Sequence, residues 1–118
     1  MKILLIDDER SFADGREATV ITRSDDAIEH FTDEDGNYNG VAYDEVWLDF
    51  VLVGSGSGGD VAMFASRMAH RGTPLNVGMF KIHTSSWGGA ALMQQVLEAA
   101  GYKTQRVDIA MTKDFRKE

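Results

Sequence analysis

Cysteine is missing from the chain altogether. Its absence removes disulfides, thiolate catalysis and cysteine-ligated zinc, and with them the small secreted scaffolds built on disulfides. Long apolar runs are missing too. Nothing approaches the ~20 residues of a membrane span. The opening run, Ile3-Leu4-Leu5-Ile6, is too short for a signal peptide and ends in the acids Asp7 and Asp8. A cytoplasmic domain without membrane contact is the expectation. Basic residues are scarce, with 12 Lys and Arg against 19 Asp and Glu and a net charge of -7. Duplex nucleic acid is therefore not an expected partner, because phosphate binding along a duplex needs a basic field. Acids are in turn absent between Asp60 and Glu98. Residues 1–60 carry 15 acids against 4 Lys and Arg, whereas residues 61–118 carry 4 against 8. That asymmetry is either an ordinary surface imbalance, the reading that charge counting favours, or an acidic metal pocket facing a neutral-to-basic wall that meets an anionic ligand.

What is present suits one globular domain: 118 residues, 43% hydrophobic and 26% charged. Residues 2–6 form a continuous apolar run, the pattern of a strand buried on both faces. Residues 11–16 show little periodicity and predict a loop or one helical turn. Residues 18–22 are β-branched and predict a second strand. Ser24 is placed to cap a short helix carrying Ala27, Ile28 and Phe31. Residues 46–53 predict a third strand with an acid, Asp49, inside it, at a cost that demands a reason. A glycine- and serine-rich loop follows at 54–59, and Asp60 is read as the start of a helix bearing Val61, Phe64, Ala65 and Met68 on one face. Residues 77–83 predict a fourth strand, and 84–89 a loop. A helix with Met93, Val96 and Leu97 comes next. Residues 103–109 predict a fifth strand. A domain over residues 1–109 and a charged tail over 110–118, able to form a helix, complete the expected organisation. The Gly54-x-Gly56-x-x-Gly59 pattern matches a dinucleotide fingerprint, but no acid follows near the ~20-residue spacing that a ribose partner needs.

Alternating strands and helices imply a parallel sheet with helices on both faces. Ligands in such folds lie outside the carboxyl ends of the strands. That rule gathers Asp7 and Asp8, Asp49, and His83 with Thr84 at one edge. Clustered carboxylates repel unless a cation joins them, and oxygen ligands favour a hard ion such as Mg²⁺ or Mn²⁺. The competing reading is that Asp7 or Asp8 caps a turn and Asp49 pairs with Arg10 or Lys81. His83 is either a proton donor or phosphate ligand, or a strand-end side chain satisfied by backbone. Arg10 offers a planar fork to a phosphate. Lys81 shares its strand face with His83. Trp87, beside the same edge, either stacks on a nucleobase or packs on the surface.

These residues resemble a known family. Ile6-Asp7-Asp8, Leu48-Asp49 and Thr84, each closing a strand in turn, resemble the receiver domain of response regulators. Asp7-Asp8-Glu9-Arg10, the glycine-bearing loop after Leu48-Asp49 and the pair His83-Thr84 are closer to the cyclic-phosphate-processing receivers. The resemblance implies a flavodoxin-like five-stranded sheet of order 2-1-3-4-5, with the first helix short or missing. It implies metal ligation by Asp7, Asp8 and Asp49, a catalytic set of Asp49, His83 and Thr84, and phosphate contacts from Arg10, Thr84 and Lys81. The ligand implied is a phosphate-containing small molecule or nucleotide, with Mg²⁺ or Mn²⁺ as cofactor. Phe50 and Val51 stand where that family has His and Asp, Ser86 stands where an Asn is expected, and the Lys-Pro pair of ordinary receivers is missing. Those departures support a second reading: a degenerate receiver that acts as a phosphoacceptor switch or binds a protein without hydrolysing anything.

Overall fold

A computed structural model describes residues 1–8, 10–52, 54–107 and 112–114, with Arg10 and residues 112–114 described by their backbone alone. Five parallel strands form the main sheet: β1 (Ile3–Ile6), β3 (Thr19–Ile21), β4 (Tyr43–Leu48), β5 (Val77–Ile82) and β6 (Thr104–Arg106). Their order is β3-β1-β4-β5-β6. Counting only these five strands, that is the expected 2-1-3-4-5 arrangement. Three helices, α1 (Ser24–His30), α2 (Gly58–His70) and α3 (Trp87–Ala99), complete the α/β domain. Among the described residues no helix is long and apolar enough to cross a membrane.

Period-two alternation decides what each face of the sheet touches. Leu4, Ile6, Val46, Leu48, Phe80 and Ile82 share one core with Ala27 of α1 and Phe31 at its C-cap, Val61, Phe64 and Met68 of α2, and Met93 and Leu97 of α3. The intervening residues Ile3, Leu5 and Trp47 face the other way, onto Phe12. Among the described residues, all three helices therefore cover a single face, and the expected helical cover on both faces is not seen. The opposite face is covered by a two-stranded antiparallel ribbon of β2 (Arg10–Phe12) and β7 (Thr112–Asp114). Among the described residues no helix stands between β1 and β3, in line with the expectation that the first helix is short or missing. Ser11 and Phe12, expected in a loop or turn over residues 11–16, are instead extended, and Phe12 reaches Trp47, ring centroids 4.7 Å apart and edge to face. Within the charged tail, residues 112–114 are strand and not helix, since they pair with β2. The rest of residues 108–118 lies outside the described residues.

Several boundaries moved for local reasons. Ser24 is the first residue of α1 and not its cap; Arg23 precedes it in extended conformation. Asp60 does not start α2 but completes a capping box at the third helical position, where its Oδ2 accepts from Ser57 N–H at 2.8 Å. Ser86 caps α3, so Trp87, Gly88 and Gly89 belong to that helix and not to the preceding loop. β4 begins three residues earlier than expected and ends at Leu48, which leaves Asp49 just beyond the ladder.

Candidate metal and phosphate site

Backbone hydrogen bonding continues one residue past three strands and fixes the site. Asp7 N–H donates to Ile21 O at 3.0 Å, Asp49 N–H to Ile6 O at 3.0 Å, and His83 N–H to Leu48 O at 3.3 Å. Three adjacent parallel strands thus present Asp7, Asp49 and His83 at one level of the sheet edge. Asp8 follows on the loop from β1. One carboxylate oxygen from each of Asp7, Asp8 and Asp49 lies within 4.8 Å of the others. Asp7 is completely buried, and Asp8 and Asp49 are half-buried.

Each member of this cluster is oriented by a neighbour. The Asp49 carboxylate accepts Phe50 N–H at 2.8 Å and the hydroxyl of Thr84. Asp7 Oδ2 lies 2.8 Å from His83 Nε2, and neither side chain has any exposure. An ionised Asp7 requires Nε2 to carry the proton in that bond. His83 Nδ1 is buried with no protein hydrogen-bond partner. The imidazole also lies beside the Trp47 indole, ring centroids 5.9 Å apart. Burial pushes the Asp49 carboxyl above its ordinary range. The neighbouring Asp7 adds to that rise, while Thr84, His83 and Phe50 N–H oppose it.

Close packing holds the geometry. A Cβ on Gly58 would lie 2.0 Å from the Asp49 carbonyl oxygen. A Cβ on Gly89 would lie 2.2 Å from Phe50 Cγ, and one on Gly59 would lie 3.2 Å from Phe50 Cε1. Phe50 therefore wedges between the first turns of α2 and α3, in space that only glycines leave open. Val51 is 60% exposed.

The expected residues do not all converge. Asp7, Asp8, Asp49, His83 and Thr84 meet at one edge. Lys81 does not meet them: its Nζ is 3.1 Å from Glu45 Oε2 and 5.3 Å from the Trp47 ring. It shares the His83 face as its register requires, but Glu45 holds it lower on the strand. In this structure Lys81 pairs with Glu45, and not with Asp49 as the competing reading had it. The Arg10 side chain lies outside the described residues; its backbone pairs with Asp114. His83 is held by a carboxylate and not by backbone. No local signal could have revealed that partner, since Asp7 and His83 are 76 residues apart. The capping box was missed although Ser57-x-x-Asp60 is visible in the sequence.

Comparison with known sequences now decides the family. The cyclic-phosphate processing receiver domain matches this chain over residues 2–99. The chain belongs to that family. The match spans β1 through α3, and so includes all three carboxylates and His83-Thr84. No curated protein and no solved structure matches the chain. Phe50, which stands where the resemblance implied a His, fills a steric slot between two helices.

Proposed function

We propose that this domain is a divalent-cation-dependent receiver that processes a cyclic phosphate ester at the edge formed by Asp7, Asp8 and Asp49. One observation carries the reading. Three carboxylates converge within 4.8 Å while burial and Asp7 together push Asp49 above its ordinary pKa. An all-oxygen donor set of that kind fits Mg²⁺ or Mn²⁺, which take one or two carboxylates, waters and substrate phosphate. When bound, such a cation polarises a phosphoryl oxygen and lowers the pKa of a coordinated water.

The remaining work falls to the chain. His83 holds Asp7 in one orientation through Nε2. Phe50 N–H and the Thr84 hydroxyl fix the Asp49 carboxylate. Thr84 is half-buried, and its single O–H, which donates to Asp49 in this structure, has to turn from that carboxylate to serve a phosphoryl oxygen of the substrate. The buried His83 is better placed to position Asp7 than to exchange a proton with substrate. Its burial is also the observation that favours the second reading, a phosphoacceptor receiver in which half-buried Asp49 is the nucleophile and hydrolysis is absent.

Two measurements test the proposal. EDTA-stripped protein should gain several degrees in Tm on addition of millimolar Mg²⁺ or Mn²⁺, and a panel of 2′,3′- and 3′,5′-cyclic nucleotides should include one that is opened only with metal. A Tm indifferent to both cations counts against the metal site. Metal stabilisation without turnover of any cyclic substrate, together with base-labile labelling of Asp49 by an acyl phosphate donor, selects the second reading.

A further inference from the structure

Residues 54–57 lead into α2 and lie against the residues that precede and open α1. A Cβ on Gly54 would stand 2.8, 2.9 and 3.0 Å from Nη1, Cζ and Nη2 of Arg23. Three nearly equal distances set the guanidinium face-on over the Gly54 backbone. Asp25, in the first turn of α1, grips the edge of that plane. Arg23 Nε donates to its Oδ1 at 3.0 Å and Nη2 to its Oδ2 at 3.1 Å. A Cβ on Gly56 would stand 1.9 Å from the Oγ of buried Ser24 and 2.9 Å from Asp60 Oδ2. Glycine at 54 and 56 is therefore what lets Arg23 and Ser24 close on this stretch. The pattern that imitates a dinucleotide fingerprint has a packing role here instead.

Short links tie this contact to the carboxylates. Ser57 forms an isolated antiparallel bridge with Val51, and Gly58 N–H donates to Phe50 O at 2.8 Å. Gly58 also stands against the Asp49 carbonyl, and Phe50 N–H donates to Asp49 Oδ1. A shift of residues 54–57 therefore moves the backbone on which the Asp49 carboxylate rests. Sheet order adds a second constraint. β1 lies between β3 and β4, Arg23 is two residues beyond β3, and residues 54–57 follow β4. Neighbouring strands are ~4.8 Å apart, so the contact reaches about 10 Å across the end of β1, where Asp7 and Asp8 stand. We infer that Arg23 and Ser24 are positioning residues of the metal site: they clasp residues 54–57 across the end of β1 and so hold Asp49 in register with Asp7 and Asp8. The inference rests on the metal reading above and adds two residues that act through the backbone and not as ligands.

The test titrates Mg²⁺ by calorimetry into EDTA-stripped parent and variants, with the metal-free Tm of each recorded beside it. On charge alone, Arg23→Ala removes a positive charge from the carboxyl edge and should tighten Mg²⁺ binding. The clasp requires the opposite sign, a dissociation constant raised roughly 2–30-fold. The metal-free Tm should barely change, because the Arg23–Asp25 pair is exposed. Arg23→Lys should weaken binding too, since an ammonium keeps the charge but has no plane to lay on Gly54. Gly56→Ala tests the other half of the clasp, because Gly54, at φ +92°, strains any substitute whatever its neighbours. It should also weaken binding, and Ser24→Ala in the same chain removes the nearer obstacle and should recover part of the loss. If Gly56→Ala fails to fold, the two Arg23 variants carry the test. Unchanged or tighter Mg²⁺ binding by Arg23→Ala overturns the clasp and leaves the metal reading standing. Parent affinity in Arg23→Lys overturns the role of the guanidinium plane, and no recovery in the double variant overturns that of Ser24. Failure of the parent itself to bind Mg²⁺ overturns the metal reading and this inference with it.

Discussion

The turn after β2 and the carboxyl edge of the main sheet each hold an aspartate, and the two are handled in opposite ways. Asp14 is fully in reach of solvent and faces Arg16, whose Nε lies 3.0 and 2.9 Å from the two carboxylate oxygens. That ion pair, helped by Arg16 N–H, lowers the Asp14 pKa to about 2. Asp49 is half-buried with a second acid beside it, and its pKa is raised. Arg16 extends the contrast: its guanidinium lies 4.9 Å from the Phe12 ring and 5.7 Å from the Trp47 ring, and so seals the ribbon over the back of the sheet. The ribbon side is a place where charge has been neutralised and apolar surface covered. The carboxyl edge is a place where like charge has been gathered at a cost to folding. Folds tolerate such local conflict where it serves a ligand.

The ribbon side should break most severely. Phe12 is almost wholly buried between the ribbon and Trp47. Phe12→Ala should cost about 3–5 kcal/mol, the usual range for truncating a buried aromatic. Urea denaturation measures it. A loss below about 1 kcal/mol would show that β2 and β7 do not seal the sheet in solution, and the second face would then be open.

At the carboxyl edge the obstacle is steric. Gly58→Ala sets a methyl 2.0 Å from the Asp49 carbonyl, a backbone atom that cannot rotate away. Overpacking of this kind costs about 1–3 kcal/mol. The clash also moves Asp49, so the response of Tm to Mg²⁺ should shrink along with the stability. Gly88→Ala, where a methyl meets nothing, is the control and should change neither quantity.

Asp49→Asn separates charge from shape. The amide oxygen still accepts Phe50 N–H, but the like charge beside Asp7 is gone. The metal-free variant should be at least as stable as the parent at neutral pH. The stabilisation by metal, roughly 2.7 kcal/mol at 100 times its dissociation constant, should be lost. A large loss of metal-free stability would mean that Asp49 is a structural ion-pair partner, and the metal reading of this residue would fail.

Much of this contrast could be read from residue order. The apolar runs closed by Asp7, Asp49 and His83-Thr84, together with the strand-end rule, located the edge without coordinates. The same reasoning put Lys81 on the correct face but not at the correct height, because its partner Glu45 is on the neighbouring strand and register between strands is not a local property. The ribbon was invisible for a similar reason. Arg10-Ser11-Phe12 is three residues long, shows no usable period, and is extended through its pairing with residues 112–114 at the far end of the chain. The Asp7–His83 bond likewise joins two distant segments. Local chemistry was legible in caps and turns, and Ser57-x-x-Asp60 could have been read. Contacts made only by the tertiary fold could not.

The smallest effect sharpens the comparison most directly, because one experiment reads both aspartates. In metal-free protein, carboxyl NMR resonances followed against pH should show Asp14 titrating at about 2 and Asp49 above the ordinary value of 3.8. The signs for stability are opposite. Asp14 is depressed on folding, so its contribution is present above pH 3.8 and fades as pH falls toward about 2. Asp49 is raised, so its contribution is present below 3.8 and is lost as pH rises through its folded pKa. Arg16→Gln should return Asp14 toward 3.8 and leave Asp49 in place, with a small change in Tm because the pair is exposed and screened. Adding Mg²⁺ should do the reverse, lowering the Asp49 midpoint and leaving Asp14 alone, since a bound cation favours the ionised ligand. An Asp49 midpoint that ignores the metal while Asp14 behaves as expected would place the cation, if one binds, away from Asp49.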